Sequence, residues 1–189
     1  MEIYLASKSP RRKQLLEQME VPFEILSVDI PEVVQPGELP DEYSQRITRE
    51  KLENAWQTLK EQSMPLRPIL CADTEVIFNN TILGKPASEQ EAYQTLKQYS
   101  DTTHTVITSV GIIHNNHIDV RLNRTEVTFA PIPDEAIRHY LSTDHYLDKA
   151  GSYGIQSYIG QYISGIEGCF YSVMGLPLNT VRQLLDSLS

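Results

Sequence analysis

Two consecutive arginines stand where a helix is expected to begin. Ser9 is a suitable N-cap, Pro10 occupies the first helical position, and Arg11 and Arg12 follow. Basic residues oppose the helix dipole at this end, where acids are favoured. The backbone N–H groups of a first turn, the hydroxyls of Ser7 and Ser9, and two guanidinium groups suit a phosphate. The alternative is that both arginines face solvent and pair with nearby acids.

A carboxylate follows an apolar segment in the middle of the chain. Asp73 comes directly after residues 69–72, which are apolar and indicate a buried strand. Sheets of the α/β class bind their ligands at the carboxyl ends of strands. Asp73 is therefore a candidate for binding a divalent cation or orienting a water, and Thr74 for donating a hydrogen bond to a ligand. The alternative is that Asp73 caps a turn.

Two loops carry further polar candidates. Pro86 favours an extended backbone at Lys85, which directs this lysine either toward a phosphate or simply into solvent. The glycine-bearing segment 148–156 ends at Gln156, whose amide offers both a donor and an acceptor to a nucleotide base. A glycine loop of this kind is a weak signal by itself.

An acid and a lysine elsewhere complete the candidate set. Glu32 lies in a proline-rich loop and could join Asp73 at a metal ion, while Lys51 lies on a long predicted helix. Taken alone, Glu32 and Lys51 would each be interpreted as an ordinary surface residue.

Strands and helices that alternate along the chain must position these residues. Apolar periodicity predicts strands over 3–6, 23–28, 69–78, 103–113, 118–130 and 162–170. It predicts helices beginning after Ser9 and over 41–61, 88–99, 133–141 and 179–188. The segment 114–117 predicts a hairpin turn. The pattern predicts an α/β fold with a mixed sheet and flanking helices, and since no linker interrupts it, one domain over residues 1–189.

Composition excludes several classes of protein. The chain has 16 basic and 25 acidic residues and a net charge of −9, which argues against a non-specific binder of nucleic acid or of an anionic membrane. Two cysteines far apart favour a reducing cytoplasm. No apolar run approaches the length of about 18 residues that a transmembrane helix needs. A polyanionic substrate would need local basic residues or a metal ion.

Taken together and in order, these segments resemble the Maf family of nucleoside triphosphate pyrophosphatases. The matching segments are 5–12, 49–51, 72–74, 83–86, 125–129, 147–156 and 173–177. The sequences Pro-Arg-Arg at 10–12 and Gly-Ile-Gln at 154–156 resemble the branch that hydrolyses dTTP and UTP. The chain departs from the family pattern at three positions: Glu75 stands where an aliphatic residue is usual, and Asp101 and Ser157 stand where glycine is usual.

The resemblance implies cleavage between the α and β phosphates, which yields a nucleoside monophosphate and pyrophosphate. It also implies a twisted mixed sheet in two lobes around a deep cleft, similar to inosine triphosphate pyrophosphatases. A divalent cation, Mg²⁺ or Mn²⁺, and a cytoplasmic homodimer are further implications.

The resemblance assigns roles residue by residue. Asp73 matches the catalytic base and, with Glu32, the metal-binding acids. The residues expected to bind or select the substrate are Ser7, Ser9, Arg11, Arg12, Lys51, Thr74, Lys85 and Gln156. The four cations among them are expected to converge on one cleft despite the net negative charge.

Two other functions remain open at this stage. A nucleotide-binding regulator of cell division would bind nucleotide without releasing pyrophosphate. A pyrophosphatase for modified nucleotides would prefer those over dTTP and UTP.

Overall fold

The computed structural model describes residues 1–143 and 145–188, and it shows a mixed α/β fold. The strands are β1 (Ile3–Leu5), β2 (Phe23–Ile25), β3 (Ile69–Phe78), β4 (Thr81–Leu83), β5 (Thr103–His114), β6 (His117–Phe129) and β7 (Ile163–Glu167). The helices are α1 (Pro10–Gln18), α2 (Pro40–Glu61), α3 (Glu89–Tyr99), α4 (Asp134–Leu141), α5 (Phe170–Met174) and α6 (Leu178–Asp186). Short 3₁₀ turns cover Ala150–Ser152 and Tyr158–Tyr162.

The seven strands form one mixed sheet, as the sequence predicts. Its order is β2-β1-β3-β5-β6-β7, and β4 pairs with β3 off this path. Strand β1 is parallel to both β2 and β3, whereas β4 is antiparallel to β3 and β7 is antiparallel to β6. The α/β class is therefore confirmed.

Two Asn-Asn turns set the register of neighbouring strands. Asn79 and Asn80 join β3 to β4, and Asn115 and Asn116 join β5 to β6. All four residues have positive φ angles, between 49° and 63°, which asparagine tolerates better than most residues. Two such residues in succession give the tight turn that suits a twisted hairpin. The hairpin predicted around residues 114–117 is confirmed.

The chain divides into two compact units, each with its own core. The first contains Met1–Asp73, Thr108–Asn123 and the segment from Gly175 onward, and the second contains Thr74–Ile107 and Arg124–Met174. In the first unit, the inner face of α2 packs around Leu52, Trp56 and Leu59. The core of the second unit is richer in aromatic residues and includes Tyr99, Tyr140 and Phe129.

The strand predicted over residues 162–170 is shorter in the structure. Strand β7 ends at Glu167, and Phe170 begins a helix that the sequence did not predict. Gly168, at φ 132°, adopts a conformation that other residues rarely take, and it ends the strand. Among the described residues, no helix combines the length and apolar character required to cross a bilayer.

Candidate active site

The turn between β1 and α1 holds both predicted serines. The Ser9 hydroxyl accepts a hydrogen bond from the Arg12 N–H at 3.5 Å, so Ser9 is the N-cap of α1, as predicted. The Ser9 N–H in turn donates to the Ser7 hydroxyl at 3.2 Å. Both hydroxyls therefore shape the turn that presents the start of the helix, and Arg11 lies half-buried in its first turn.

Arg12 has a structural contact that sequence reasoning missed. Its Nε donates to the carbonyl oxygen of Gly175 at 2.8 Å, and its guanidinium lies 3.5 Å from the Ser7 hydroxyl. Gly175 has a φ of 110°, in the region that favours glycine. Arg12 thus fastens the C-terminal segment to the first turn of α1. The only signal in the sequence was that both residues belong to segments that match the family pattern.

Lys51 bridges two carboxylates in the first unit. Helix α2 places its ammonium 2.7 Å from Glu32 Oε1 and 3.3 Å from Asp73 Oδ1. The side chains of Lys51 and Asp73 are nearly buried, whereas about half of the Glu32 side chain is exposed. The structure therefore brings together three of the predicted site residues that lie far apart in the sequence.

Burial and neighbouring charges have opposite effects on the pKa values of Lys51 and Asp73. Burial raises the pKa of Asp73, while the positive charges of Lys51 and Arg12 act to lower it, and the net direction is upward. Burial acts to lower the pKa of Lys51, but the charge of Asp73 and the hydrogen bond to Glu32 outweigh it, so this pKa is raised. Lys51 consequently stays an ammonium ion that offsets part of the negative charge of the two acids.

The other oxygen of Asp73 has no hydrogen-bond partner among the described residues. Asp73 Oδ2 is buried and accepts no hydrogen bond from the described residues, while Oδ1 faces Lys51. A buried carboxylate oxygen in this condition can accept a proton from water or bind a cation. Burial also raises the pKa of the neighbouring Cys71 to about 11, which keeps its thiol neutral and unreactive.

The residues present fit a divalent cation that shares its ligands with a substrate. Mg²⁺ is typically held by one or two carboxylates together with waters and substrate phosphates. Asp73 Oδ2 and the carboxylate of Glu32 supply the right kind of oxygen. Within residues 1–143 and 145–188, no group of three or more His, Cys, Asp or Glu side chains forms a cage of protein ligands alone.

The second unit contains the three remaining candidates. Thr74 is half-buried in β3, Lys85 is exposed just after β4, and Gln156 is exposed in the glycine-bearing loop. The Gly151 N–H donates to the Gly84 carbonyl at 3.1 Å, so the segments that carry Lys85 and Gln156 are joined through their backbones. The convergence of all four predicted cations stays a prediction.

A neutral aromatic cluster underlies the Gln156 loop. The Tyr99 hydroxyl donates to the Gly151 carbonyl at 2.9 Å, and His104 Nε2 lies 2.6 Å from the Tyr153 hydroxyl. The rings of Tyr99 and His104 stack with centroids 4.3 Å apart. Burial lowers the pKa of His104 to about 4 and raises the pKa values of both tyrosines. Sequence reasoning did not select His104, since no motif surrounds it.

The family comparison covers almost the whole chain. A family model described as Maf-like protein matches residues 2–188. The chain belongs to the Maf family. The resemblance drawn from the ordered motifs is thus confirmed.

Relatives of this Maf chain carry a consistent name. A protein of Halalkalibacterium halodurans named dTTP/UTP pyrophosphatase is 45% identical over 96% of this chain and 94% of its own length. A protein of Dechloromonas aromatica with the same name is 40% identical over 100% of this chain and 98% of its own.

A solved structure supports the fold of this Maf chain at much lower sequence identity. The Ham1 protein of Staphylococcus aureus matches with a TM-score of 0.53 and 12% identity, and the match covers 100% of both chains. At this identity the likeness concerns the fold alone.

Proposed function

We propose that this Maf chain hydrolyses the α-β phosphoanhydride of dTTP and UTP, releasing the nucleoside monophosphate and pyrophosphate. The observation that carries the proposal is Asp73, a buried carboxylate with Oδ1 beside Lys51 and Oδ2 without a described partner. The names of the full-length relatives support the substrate class.

Asp73 and Lys51 have different roles in the attack of water on the α phosphorus. Lys51 occupies Oδ1 and leaves Oδ2 to accept the proton of the attacking water. The water oxygen forms a bond to the α phosphorus as the bond to the bridging oxygen breaks, and pyrophosphate leaves with that oxygen. Glu32 and Asp73 would hold a divalent cation, Mg²⁺ or Mn²⁺, and such a cation would neutralise charge at the substrate phosphates.

The cationic side chains bind the triphosphate. In this proposal Arg11, Arg12, Lys51 and Lys85 neutralise phosphate oxygens, and the first turn of α1, shaped by Ser7 and Ser9, adds backbone N–H donors. Such chemistry depends mainly on positioning and on stabilisation of charge.

In this proposal the neutral side chains of Thr74 and Gln156 select the nucleotide base. Thr74 can donate a hydrogen bond, and the Gln156 amide can donate and accept at once. Gln156 is exposed at the surface of its loop, which places its amide within reach of a ligand.

A product assay tests the proposal. The protein is incubated with Mg²⁺ or Mn²⁺, or with a chelator, and a panel of canonical and modified nucleoside triphosphates, and monophosphate and pyrophosphate are quantified. We expect equal amounts of the two products from dTTP and UTP, and loss of turnover with the chelator. Release of orthophosphate, or tight binding without turnover, would contradict the proposal, and the latter would favour a regulator. Preference for modified pyrimidines would favour the broader pyrophosphatase.

The proposal also includes the oligomeric state of the protein and its location in the cell. The family resemblance predicts a cytoplasmic homodimer, and light scattering on the purified protein measures the mass directly.

A further inference from the structure

The turn that carries Gln156 is closed by the next residue. The Gly154 carbonyl accepts two hydrogen bonds from Ser157, one from its N–H at 3.0 Å and one from its hydroxyl at 2.6 Å. The hydroxyl bond is the shorter of the two, and it fixes the ends of the turn on either side of Gln156. A backbone bond alone would close the turn with one contact rather than two.

Buried residues anchor this turn at both ends. On one side Tyr153 is buried, with its hydroxyl 2.6 Å from His104 Nε2. On the other side Ile159 is fully buried in the core of the second unit. Gln156 lies exposed between them, so the anchors hold the backbone while leaving the amide accessible. This arrangement suits a group that must be presented to a ligand in one direction.

Gly160, in the 3₁₀ turn that follows, packs closely against the backbone of the turn that carries Gln156. A Cβ placed at Gly160 would lie 2.3 Å from the carbonyl oxygen of Ile155, and the Gly160 N–H donates to the Ser157 carbonyl at 2.9 Å. The backbone on both sides of Gln156 is therefore in contact with its surroundings. The hydrogen bond from the Ser157 hydroxyl to the Gly154 carbonyl is the side-chain contact that closes the turn of residues 154–157.

We propose that Ser157 is a positioning residue for base selection, because its hydroxyl bond to Gly154 fixes the turn of backbone from which Gln156 reaches the nucleotide base. This inference rests on the proposed function, in which Gln156 contacts the base. Ordering the backbone of a binding loop before the ligand arrives removes part of the entropy cost of binding. Loss of the bond should therefore weaken nucleotide binding and reduce the preference for one base over another. Hydrolysis at the phosphates should continue.

The local backbone allows a clean test of the hydroxyl. Ser157 has φ −85° and ψ 175°, an extended conformation that alanine and threonine both adopt. Ser157→Ala removes the hydroxyl, and Ser157→Thr retains it. Ser164→Ala is the matched control, because Ser164 also donates to a backbone carbonyl in the second unit, that of Thr128 at 3.3 Å.

The experiment compares kcat and KM for dTTP, UTP and dCTP among these variants. We expect Ser157→Ala to raise KM for dTTP about 3- to 10-fold, the range expected for one net hydrogen bond, with kcat within about twofold. The preference for dTTP over dCTP should fall, Ser157→Thr should restore both values, and Ser164→Ala should match the unmodified protein. An unchanged KM and ranking, or a loss of kcat shared equally by all nucleotides, would overturn the proposal.

A binding measurement separates this inference from the proposed function. Calorimetry with a non-hydrolysable α,β-imido analogue of dTTP reports nucleotide affinity without turnover. If the unmodified protein binds the analogue but releases no pyrophosphate from dTTP, the proposed function fails while the role of Ser157 is still tested. Weaker binding by Ser157→Ala, with recovery in Ser157→Thr, supports that role, and equal affinity in all three proteins contradicts it.

Discussion

The polar groups buried at the candidate site of the first unit are charged, whereas those beneath the Gln156 loop of the second unit are neutral. Lys51 and Asp73 form a buried ion pair that Glu32 extends to the surface. Tyr99, His104 and Tyr153 form an aromatic cluster in which burial disfavours the charged form of every group.

This difference matches two separate tasks in handling a nucleotide. Charged groups stabilise phosphates, a cation and a proton in transfer, and their effect on the rate is large. Neutral hydrogen bonds on a rigid support distinguish bases that differ by one donor or acceptor, since an unpaired polar group is costly. We therefore expect changes at the Lys51–Asp73 pair to alter turnover and changes at or beneath the Gln156 loop to alter selection of the base.

The largest effect is expected at Asp73. Asp73→Asn removes the carboxylate but keeps its shape, and we expect turnover of dTTP to fall at least ~10²-fold, the lower end for loss of a general base. Lys51 keeps its bond to Glu32, so the melting temperature should change little. Asp29→Asn is the control, because Asp29 is an exposed acid of the same unit. Near-normal turnover in Asp73→Asn would contradict the role given to this residue.

A pH effect on stability is expected from His104. Its pKa is lowered by burial to about 4 from the ordinary 6.5, so between these values the unfolded chain takes up a proton that the folded protein does not. Stability is therefore complete above pH 6.5 and falls as the pH decreases toward 4, by roughly 3 kcal/mol at most. His104→Gln cannot titrate and should lose less stability over this range in urea unfolding.

The control for this pH dependence is His117→Gln, since His117 is exposed at the start of β6. It should keep the slope of the unmodified protein. An identical slope in His104→Gln would show that the neutral cluster does not depend on the protonation of this histidine.

A smaller effect is expected from a methyl group at Gly160. Its Cβ would lie 2.3 Å from the Ile155 carbonyl oxygen, so Gly160→Ala must displace the backbone beside Gln156. We expect a loss of about 1–3 kcal/mol in stability, as for overpacking, together with a raised KM for dTTP. Gly165→Ala is the control, because no atom lies within 4 Å of the corresponding Cβ. Equal behaviour of the two variants would contradict a rigid Gln156 turn.

Local patterns predicted much of the fold. The Ser9 cap, the Asn115-Asn116 turn and the strand over 69–78 follow from short-range rules for helix caps, turns and apolar runs. The order of motifs along the chain also predicted the family.

Contacts between distant segments could not be predicted in this way. The bond from Arg12 to Gly175 and the packing of His104 against Tyr99 and Tyr153 depend on the tertiary fold, because periodicity does not say which distant segments meet. The neutral cluster of the second unit was missed for the same reason, since the pKa of a histidine in a strand falls only when other segments bury it.

The separate roles of the Lys51–Asp73 pair and the Gln156 loop are tested most directly by the ratio of kcat/KM for dTTP to that for dCTP. It is measured in the unmodified protein, in Asp73→Asn and in Gln156→Ala. The account predicts that Asp73→Asn lowers both values by the same factor and preserves the ratio. Gln156→Ala should reduce the ratio by about tenfold or more, the loss expected when one base-reading contact of at least 1.4 kcal/mol disappears. A changed ratio in Asp73→Asn, or an unchanged ratio in Gln156→Ala, would contradict it.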